Sequence, residues 1–259
     1  MMRFEEQVAL VSGGMGAMGL AIGRRLAREG ARVVLGDLAS PDAARLEAAF
    51  DGLPPPEVLT LDVTQPGSWA QVVADVQARH GRLDVLVNNA GVVSNEAQPF
   101  DRIPVDEWRR VFAINVDGTL LGVQAAMQVM RSSSTGGSIV NMGSIAGYVG
   151  SRDGGAYGAS KAAVRNLTKQ AALSAARQGL PIRVNAVHPG YVWTPLIDEK
   201  LTRQFGSAEA AREAVRGMNP LHRIVETDDV AAAVAFLASR DARMITGADL
   251  VVDGGRLIQ

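Results

Sequence analysis

Short apolar runs rich in β-branched residues alternate with amphipathic stretches along the chain. Val8 to Val11 form the first run, and Met18, Ile22 and Leu26 follow at spacings of four residues, on one helical face. Later runs predict strands at 33–35, 58–61, 85–87, 139–142, 182–187 and 250–252. Helical patterns separate them near 41–50, 68–80, 105–131, 156–178 and 228–239. This alternation predicts a parallel sheet with helices on both faces.

The same pattern predicts how the chain is organised. No linker rich in Pro, Gly or Ser divides the 259 residues, and no internal repeat is present. We therefore expect an α/β fold in which residues 1–259 form one doubly wound Rossmann domain with a seven-stranded parallel sheet. Residues 195–219 have helical composition but fall between the sixth and seventh strands. They predict a small helical lid over a substrate.

Charge balance and the lack of cysteine exclude several classes of function. The 26 Lys and Arg residues nearly match the 27 Asp and Glu, without the basic excess typical of nucleic-acid binding. The absence of cysteine excludes disulfides, thiol catalysis and Cys-ligated zinc. No apolar run has the length of a signal peptide or a membrane span. We expect a cytoplasmic protein with no nucleic-acid, membrane or metal partner.

Glycine is in excess, at 28 of 259 residues, or about 11% where ~7% is typical. Gly14, Gly16 and Gly19 satisfy G-x-G-x-x-G directly after the first strand and at the start of the first helix. Such glycines let backbone N–H groups approach a pyrophosphate at the positive end of a helix. The motif therefore predicts a dinucleotide site. A glycine-rich turn kept for close helix–strand packing is the alternative.

Asp37 ends the second strand, where its carboxylate can accept hydrogen bonds from the adenosine ribose hydroxyls. A 2′-phosphate at this position would be repelled by the carboxylate. No Arg or Lys occupies Gly16, Gly36 or Leu38 to bind such a phosphate. These residues favour NAD over NADP, although a strand often ends in a carboxylate without any such role.

Tyr157 and Lys161 stand four residues apart, on one face of a predicted helix. A tyrosine with a reference pKa near 10 exchanges protons poorly at neutral pH. A nearby ammonium group and an oxidised nicotinamide would lower that pKa, because positive charge favours the phenolate. By itself, the spacing is also common on solvated helix faces.

Polar residues that follow other strands support the catalytic interpretation. Ser144 comes directly after the fifth strand and Asn89 after the fourth, at the sheet edge where open α/β folds bind ligands. Asn115 lies between Ile114 and Val116 in the long helix, where a core amide at a helix kink is the alternative. No H-E-x-x-H or G-x-S-x-G is present, which argues against zinc and serine-nucleophile chemistry.

Together these motifs resemble those of the short-chain dehydrogenases/reductases over the entire chain. Ser12-Gly13-x-x-x-Ala17-x-Gly19 is similar to the family's T-G-x-x-x-G-x-G, with Ser for Thr and Ala17 for a glycine. The segment from Pro189 to Thr194 resembles P-G-x-[IV]-x-T. The Ser144, Tyr157 and Lys161 positions also match.

The resemblance implies a role for each matching residue. Tyr157 would exchange the proton, Lys161 would lower the pKa of Tyr157 and bind the nicotinamide ribose, and Ser144 would hydrogen-bond the substrate oxygen. Asn115 would hold a water of the proton relay. The implied cofactor contacts are Ser12, Gly13, Gly16, Met18, Gly19, Asp37, Leu38, Asp62, Val63, Asn89, Ala90, Gly91, Tyr157, Lys161, Pro189, Gly190, Val192 and Thr194. The implied substrate contacts are Ser144, Ile145, Ala146, Tyr157 and Tyr191.

Three functions stay open at this point. The apolar character of the implied pocket favours an NAD-dependent dehydrogenase of uncharged hydrophobic secondary alcohols or ketones, whether alicyclic, aryl or steroid-like. A ketoreductase of carrier-bound 3-oxoacyl groups is the second hypothesis, and Asp37 argues against it because that group usually prefers NADPH. A noncatalytic dinucleotide sensor is the third, and the intact catalytic set argues against it. The resemblance also implies a homotetramer that pairs the long helices near 105–131 and 156–178 and the C-terminal strands.

Overall fold

The structure, a computed structural model, describes residues 2–40, 42–94, 99–150 and 155–259. Its seven-stranded sheet has the order β3-β2-β1-β4-β5-β6-β7, with every pair parallel. The strands are β1 (Val8–Ser12), β2 (Arg32–Asp37), β3 (Glu57–Thr60), β4 (Val85–Asn88), β5 (Gly137–Met142), β6 (Ile182–Pro189) and β7 (Asp249–Val252). The predicted doubly wound sheet is confirmed.

Helices connect the strands, as the apolar periodicity predicts. They are α1 (Ala17–Arg28), α2 (Ala43–Ala49), α3 (Pro66–His80), α4 (Val105–Phe112), α5 (Gly118–Met130), α6 (Gly155–Arg177), α7 (Pro195–Phe205), α8 (Ala208–Met218) and α9 (Thr227–Ala238). The predicted start of the second helix includes Pro41, which lies outside the described residues.

Two apolar layers hold these helices on opposite faces of the sheet. On one face, Ile22 of α1 and Val234 of α9 are fully buried in the same cluster. On the other face, Trp69 of α3 and Val123 of α5 are buried against Leu86 of β4. Because both faces are covered, the strands are apolar throughout instead of alternating.

The predicted helix at 105–131 is not one regular helix, so that prediction is corrected. A π-helical turn at Ala113–Asp117 separates α4 from α5. Asn115 lies in this turn with no exposed surface, and its side-chain amide bonds the backbone of Val92 instead of facing solvent. Single π turns inside helices are frequent at functional sites.

The segment predicted as a lid is helical and consists of α7 and α8. Leu201, Ala211 and Val215 from these helices are buried with Trp193 in a small apolar cluster of their own. Within the described part of the chain, no helix has the length and apolarity needed to cross a bilayer.

The packing of α5 on the sheet makes a testable prediction at Gly122. A Cβ at this position would lie 2.2 Å from Asn88 Oδ1 and 2.8 Å from the ring of Trp69. Both side chains are buried, and Asn88 Nδ2 and Trp69 Nε1 donate hydrogen bonds to Asn141 and Val63, so neither side chain can move away freely. We expect Gly122→Ala to lower the free energy of unfolding by about 1–3 kcal/mol, measured by urea denaturation.

Gly217→Ala in α8 is the matched control, because no atom lies within 4 Å of the point that a Cβ would occupy there. Alanine stabilises a helix interior by about 1 kcal/mol relative to glycine. Equal stability of the two variants would contradict the packing argument.

Candidate active site

The loops that follow β1 and β4 are joined by the hydroxyl of Ser12. Ser12 Oγ accepts hydrogen bonds from the backbone N–H groups of Asn89 and Ala90, at 3.1 and 3.2 Å. The side-chain amide of Asn89 donates back to the carbonyls of Ser12 and Gly13, at 3.0 Å each. These bonds fix the glycine-rich loop against the edge of the sheet.

The glycines of this loop fall into two groups. A Cβ at Gly19 would lie 2.2 Å from the carbonyl oxygen of Gly13, and one at Gly14 would lie 2.6 Å from Leu35 Cβ. Close packing therefore requires glycine at these two positions. Gly16 differs, because it is exposed and its Cβ would meet only the Gly13 carbonyl, at 3.4 Å. The packing alternative thus explains Gly14 and Gly19 but leaves Gly16 on an open face.

The start of α1 and the side chain of Asn89 both fit a dinucleotide. Gly16 is the N-cap of α1 and gives it no side-chain hydrogen bond, so first-turn N–H groups such as that of Met18 remain for an anion. Among the described residues, the buried Oδ1 atom of Asn89 has no hydrogen-bond partner. A hydroxyl donor from a ribose would satisfy that oxygen.

Asp37 supports the glycine-rich loop from the end of β2. Its Oδ2 accepts the N–H of Met15 at 2.9 Å, and its Oδ1 accepts the N–H of Ala39 at 3.0 Å. A carboxylate has about four acceptor positions, so each oxygen can accept a further hydroxyl. The neighbouring Leu38 is 67% exposed and provides an apolar surface beside it.

Asp62 and Val63 follow β3 and pack close to the π turn. Asp62 Oδ1 accepts from the backbone and the hydroxyl of Thr64, at 2.9 and 2.7 Å. The Val63 carbonyl accepts from Trp69 Nε1 at 3.0 Å. A Cβ at Gly118, directly after the π turn, would lie 2.9 Å from the side chain of Val63.

Helix α6 brings Tyr157 and Lys161 to the end of β5. The side chain of Ser144 acts on Tyr157 in the direction that lowers the pKa of the phenol. Lys161 Nζ lies 5.7 Å from the centre of the Tyr157 ring and donates to the Met142 carbonyl at 2.8 Å. Ser144 Oγ accepts the N–H of Ala146 at 3.2 Å, which leaves its proton available for another acceptor.

Burial governs the pKa of Tyr157 in this structure, and the lowering expected from the Lys161 ammonium together with an oxidised nicotinamide stays a prediction. Burial raises the pKa of Tyr157, and the opposing influence comes from the side chain of Ser144, not from the ammonium of Lys161. Burial also lowers the pKa of Lys161, to about 8. The physical reason is that desolvation disfavours the charged form of each group, while the amine of Lys161 bonds the Met142 carbonyl.

Asn115 uses its side chain to hold neighbouring segments. Its Oδ1 accepts from the Val92 N–H at 2.8 Å, and its Nδ2 donates to the Val92 carbonyl and to Ser160 Oγ, at 2.9 and 3.0 Å. A Cβ at Gly91 would lie 3.2 Å from this Oδ1 and 3.4 Å from Lys161 Nζ. Gly91 therefore allows the loop after β4 to lie over both residues. Sequence reasoning missed Ser160 and the Met142 carbonyl.

The segment after β6 lies at the same edge of the sheet. Gly190 donates to the Val252 carbonyl at 2.9 Å, and Val192 forms a bridge with Val225. The hydroxyl of Thr194 accepts from the Ile197 N–H at the start of α7. Tyr191 is 39% exposed.

The predicted substrate contacts Ile145 and Ala146 follow Ser144 and differ in exposure. Ile145 is buried, Ala146 is half-buried, and both form the 3₁₀ turn that Ser144 caps. Pro189 ends β6. Within the described residues, no group of His, Asp or Glu has the arrangement of a metal site.

Comparisons with known proteins agree with this arrangement. Residues 14–256 match a family model described as enoyl-(acyl carrier protein) reductase. The NADP-dependent (R)-specific alcohol dehydrogenase of Lentilactobacillus kefiri is 35% identical, over 99% of each chain. The trans-4-hydroxycyclohexanecarboxylate dehydrogenase of Sinomonas cyclohexanicum is 40% identical, over 98% of this chain and 93% of its own.

Solved structures give the same result. A short-chain type dehydrogenase/reductase from Mycobacterium ulcerans superposes with a TM-score of 0.86 at 31% identity, over 99% of this chain and 91% of its own. The matching family model spans nearly the whole chain. The chain belongs to the short-chain dehydrogenase/reductase family and is an oxidoreductase that acts on alcohols.

Proposed function

We propose that this protein transfers a hydride between NAD(H) and an uncharged hydrophobic secondary alcohol or ketone of alicyclic, aryl or steroid-like type. The observation that carries the proposal is the grouping of Ser144, Tyr157 and Lys161 at the end of β5. The side chain of Ser144 lies near enough to Tyr157 to act on the pKa of the phenol, and the amine of Lys161 lies 5.7 Å from the Tyr157 ring centre. Both hydroxyl groups can therefore reach one substrate oxygen.

Each member of the group has a separate task in this proposal. The hydroxyl of Ser144 donates to the substrate oxygen and fixes its position. In ketone reduction, Tyr157 gives its phenolic proton to that oxygen, and in alcohol oxidation its phenolate takes the proton back. A bound nicotinamide supplies the hydride acceptor or donor. The raised pKa of Tyr157 keeps the phenol protonated at neutral pH, as reduction requires.

Lys161 provides the positive charge that the oxidative direction needs. With a pKa of about 8, its amine is mostly protonated at pH 7. This charge favours the phenolate of Tyr157 once a ligand excludes water from the site. The amine also remains within reach of a nicotinamide ribose, while its bond to the Met142 carbonyl fixes its direction.

The side-chain amide of Asn115 supports the group formed by Ser144, Tyr157 and Lys161. Its amide holds Ser160, one residue before Lys161 in the chain, and the loop after β4. We propose that the π turn at Asn115 provides the position for a water in the proton relay. The two interpretations of Asn115, a core amide at a helix kink and a residue of the proton relay, are then compatible.

The cofactor contacts are proposed at the positions described above. The open face at Gly16 and the N–H groups of α1 would receive the pyrophosphate, and Asp37 would accept the ribose hydroxyls. Asp62 and Val63 would lie along the adenine, and the segment from Pro189 to Thr194 would hold the carboxamide. Asp37 supports NAD, whereas one relative is NADP-dependent.

The substrate class rests on the relatives and on the apolar residues after Ser144. One relative is named for a hydroxyl on a cyclohexane ring that also carries a carboxylate. Carrier-bound 3-oxoacyl groups are the second candidate, because the matching family model is described as an enoyl-(acyl carrier protein) reductase and so also names a carrier-bound acyl group. A panel that includes cyclohexanol, 4-hydroxycyclohexanecarboxylate and a 3-oxoacyl thioester, read by nicotinamide absorbance, separates these classes.

We also propose a cytoplasmic homotetramer. Exposed leucines on the two long helices, Leu120 of α5 at 41% and Leu173 of α6 at 52%, support pairing through those helices. Pairing through these helices would remove both leucines from water.

Tyr157→Phe tests the assignment of the proton donor. We expect kcat/KM to fall about 10³-fold, since the hydroxyl is the acid and base of the reaction. Dinucleotide affinity, measured by NADH fluorescence, should stay within about twofold because the ring remains. Turnover near the wild-type rate would overturn the mechanism.

Asp37→Asn tests the cofactor assignment. The variant keeps an acceptor for the Met15 N–H but removes the negative charge. We expect the preference for NAD over NADP, measured as the ratio of kcat/KM values, to fall about 10-fold. Asp62→Asn is the control and should change both cofactors equally; an unchanged ratio in Asp37→Asn contradicts the ribose assignment.

Lys161→Met tests the buried ammonium through stability. Since the folded-state pKa is lowered to about 8, the unfolded chain binds more protons above that pH, and wild-type stability gains as pH rises. We expect the stability of wild type relative to Lys161→Met to increase by about 1–2 kcal/mol between pH 8 and 9.5. Ser160→Ala, which removes no titrating group, should show a constant difference from wild type.

A further inference from the structure

Helix α6 carries two further cationic side chains beyond Tyr157 and Lys161. Arg165 and Lys169 continue the spacing of four residues along the helix. Arg165 Nε lies 3.0 Å and Lys169 Nζ lies 2.7 Å from Oδ2 of Asp249, the first residue of β7. The helix that carries the proposed proton donor is thus bound to the edge strand by two ion pairs.

The other oxygen of Asp249 leads back to Ser144 through a buried histidine. Asp249 Oδ1 lies 3.0 Å from Nε2 of His188, which has no exposed surface. Nδ1 of His188 lies 3.4 Å from the backbone carbonyl oxygen of Ser144. One carboxylate therefore connects α6, β6 and the residue that follows β5.

Packing fixes the ring of His188 against the same loop. A Cβ at Gly143 would lie 2.2 Å from Nδ1, so glycine is needed before Ser144 for the ring to fit. The ring also meets the edge of Tyr148 at 5.0 Å between centroids, while the guanidinium of Arg165 lies over the face of Tyr148 at 3.9 Å. The Ser144 loop is thus held at its start and at its end.

The position of the proton on His188 follows from its neighbours. Burial acts to raise the pKa of Asp249, but hydrogen bonds from Lys169 and Arg165 outweigh it and keep the group ionised. Burial lowers the pKa of His188 against the attraction of Asp249. A neutral ring has one N–H, and the carboxylate at 3.0 Å is the stronger acceptor. The proton therefore belongs on Nε2. Nδ1 then has no proton to donate to the Ser144 carbonyl, so the ring acts on the Ser144 loop through its packing against Gly143.

We propose that His188, oriented by Asp249, is a positioning residue whose ring packs against Gly143, fixes the loop that carries Ser144 and so aims the Ser144 hydroxyl at the substrate oxygen beside Tyr157. The inference rests on the proposed function, since it assigns a task within that reaction. His188 acts through Ser144 and Asp249 acts through His188. The same carboxylate binds Arg165 and Lys169 of α6, the helix that carries Tyr157. Asp249 therefore helps to position the hydroxyl groups of both Ser144 and Tyr157.

A double-mutant cycle tests whether His188 acts through Ser144. We expect His188→Ala to lower kcat about 10-fold in the wild-type background and less than about twofold in Ser144→Ala, because the positioned hydroxyl is then missing. NADH affinity, measured by fluorescence, should be unchanged in both backgrounds. His188→Gln, which can still donate to Asp249, should recover part of kcat.

Asn185→Ala is the matched control. Asn185 is as fully buried on β6 as His188 and bonds Ile245 and Ala248, on the approach to β7, instead of the Ser144 loop. We expect a comparable loss of thermal stability with kcat within about twofold of wild type. Equal losses of kcat for His188→Ala in both backgrounds, or an equal loss for Asn185→Ala, would overturn the positioning role.

The ring proton gives a readout that does not depend on turnover. The chain has three histidines, so ¹⁵N correlation spectra can be assigned by the signal that His188→Gln removes. We expect the neutral Nε2–H tautomer, with a titration midpoint below about 6.5, and a changed tautomer balance in Asp249→Asn. An Nδ1–H tautomer overturns the proposed geometry.

The substrate panel separates a failure of this inference from a failure of the proposed function. If the wild type turns over no substrate of the panel, both are overturned. If the wild type is active but the effects of His188→Ala and Ser144→Ala are additive, only this inference is overturned.

Discussion

The parallel pairing of β1 with β4 is the contact on which the site depends. It places Leu10 beside Leu86 and ends both strands at one edge. The chain runs outward from this pair in both directions, so the loops after β1 and β4 separate there and leave a crevice. The Ser12 hydroxyl spans the two loops at the base of that crevice. Every other site segment is placed relative to this pair through the sheet.

Much of the fold follows from the sequence for a physical reason. A strand covered on both faces must be apolar throughout, so runs such as Val8 to Val11 and Ile182 to Val187 mark strands directly. The predicted site residues come together for a related reason. Ser144 and Asn89 follow adjacent parallel strands, and such strands end at a common edge.

The parts that sequence could not predict depend on contacts between distant residues or on the backbone. At the π turn, the side chain of Asn115 forms hydrogen bonds with the backbone of Val92, 23 residues away. The helical periodicity of the sequence does not predict these bonds. Lys161 points to a backbone carbonyl, which no residue type reveals. The pairing of His188 with Asp249 spans 61 residues, and only the folded sheet brings the two together.

The ion pairs of Asp249 join parts of the chain that are synthesised at different times. The residue lies in the last strand of the sheet, far along the chain from the helix face that it holds. A growing chain therefore completes α6 and β6 well before the carboxylate that binds them is made. An unfinished chain that already contains the dinucleotide loop, α6 and β6 therefore still lacks the carboxylate that joins α6 to β7 and to His188.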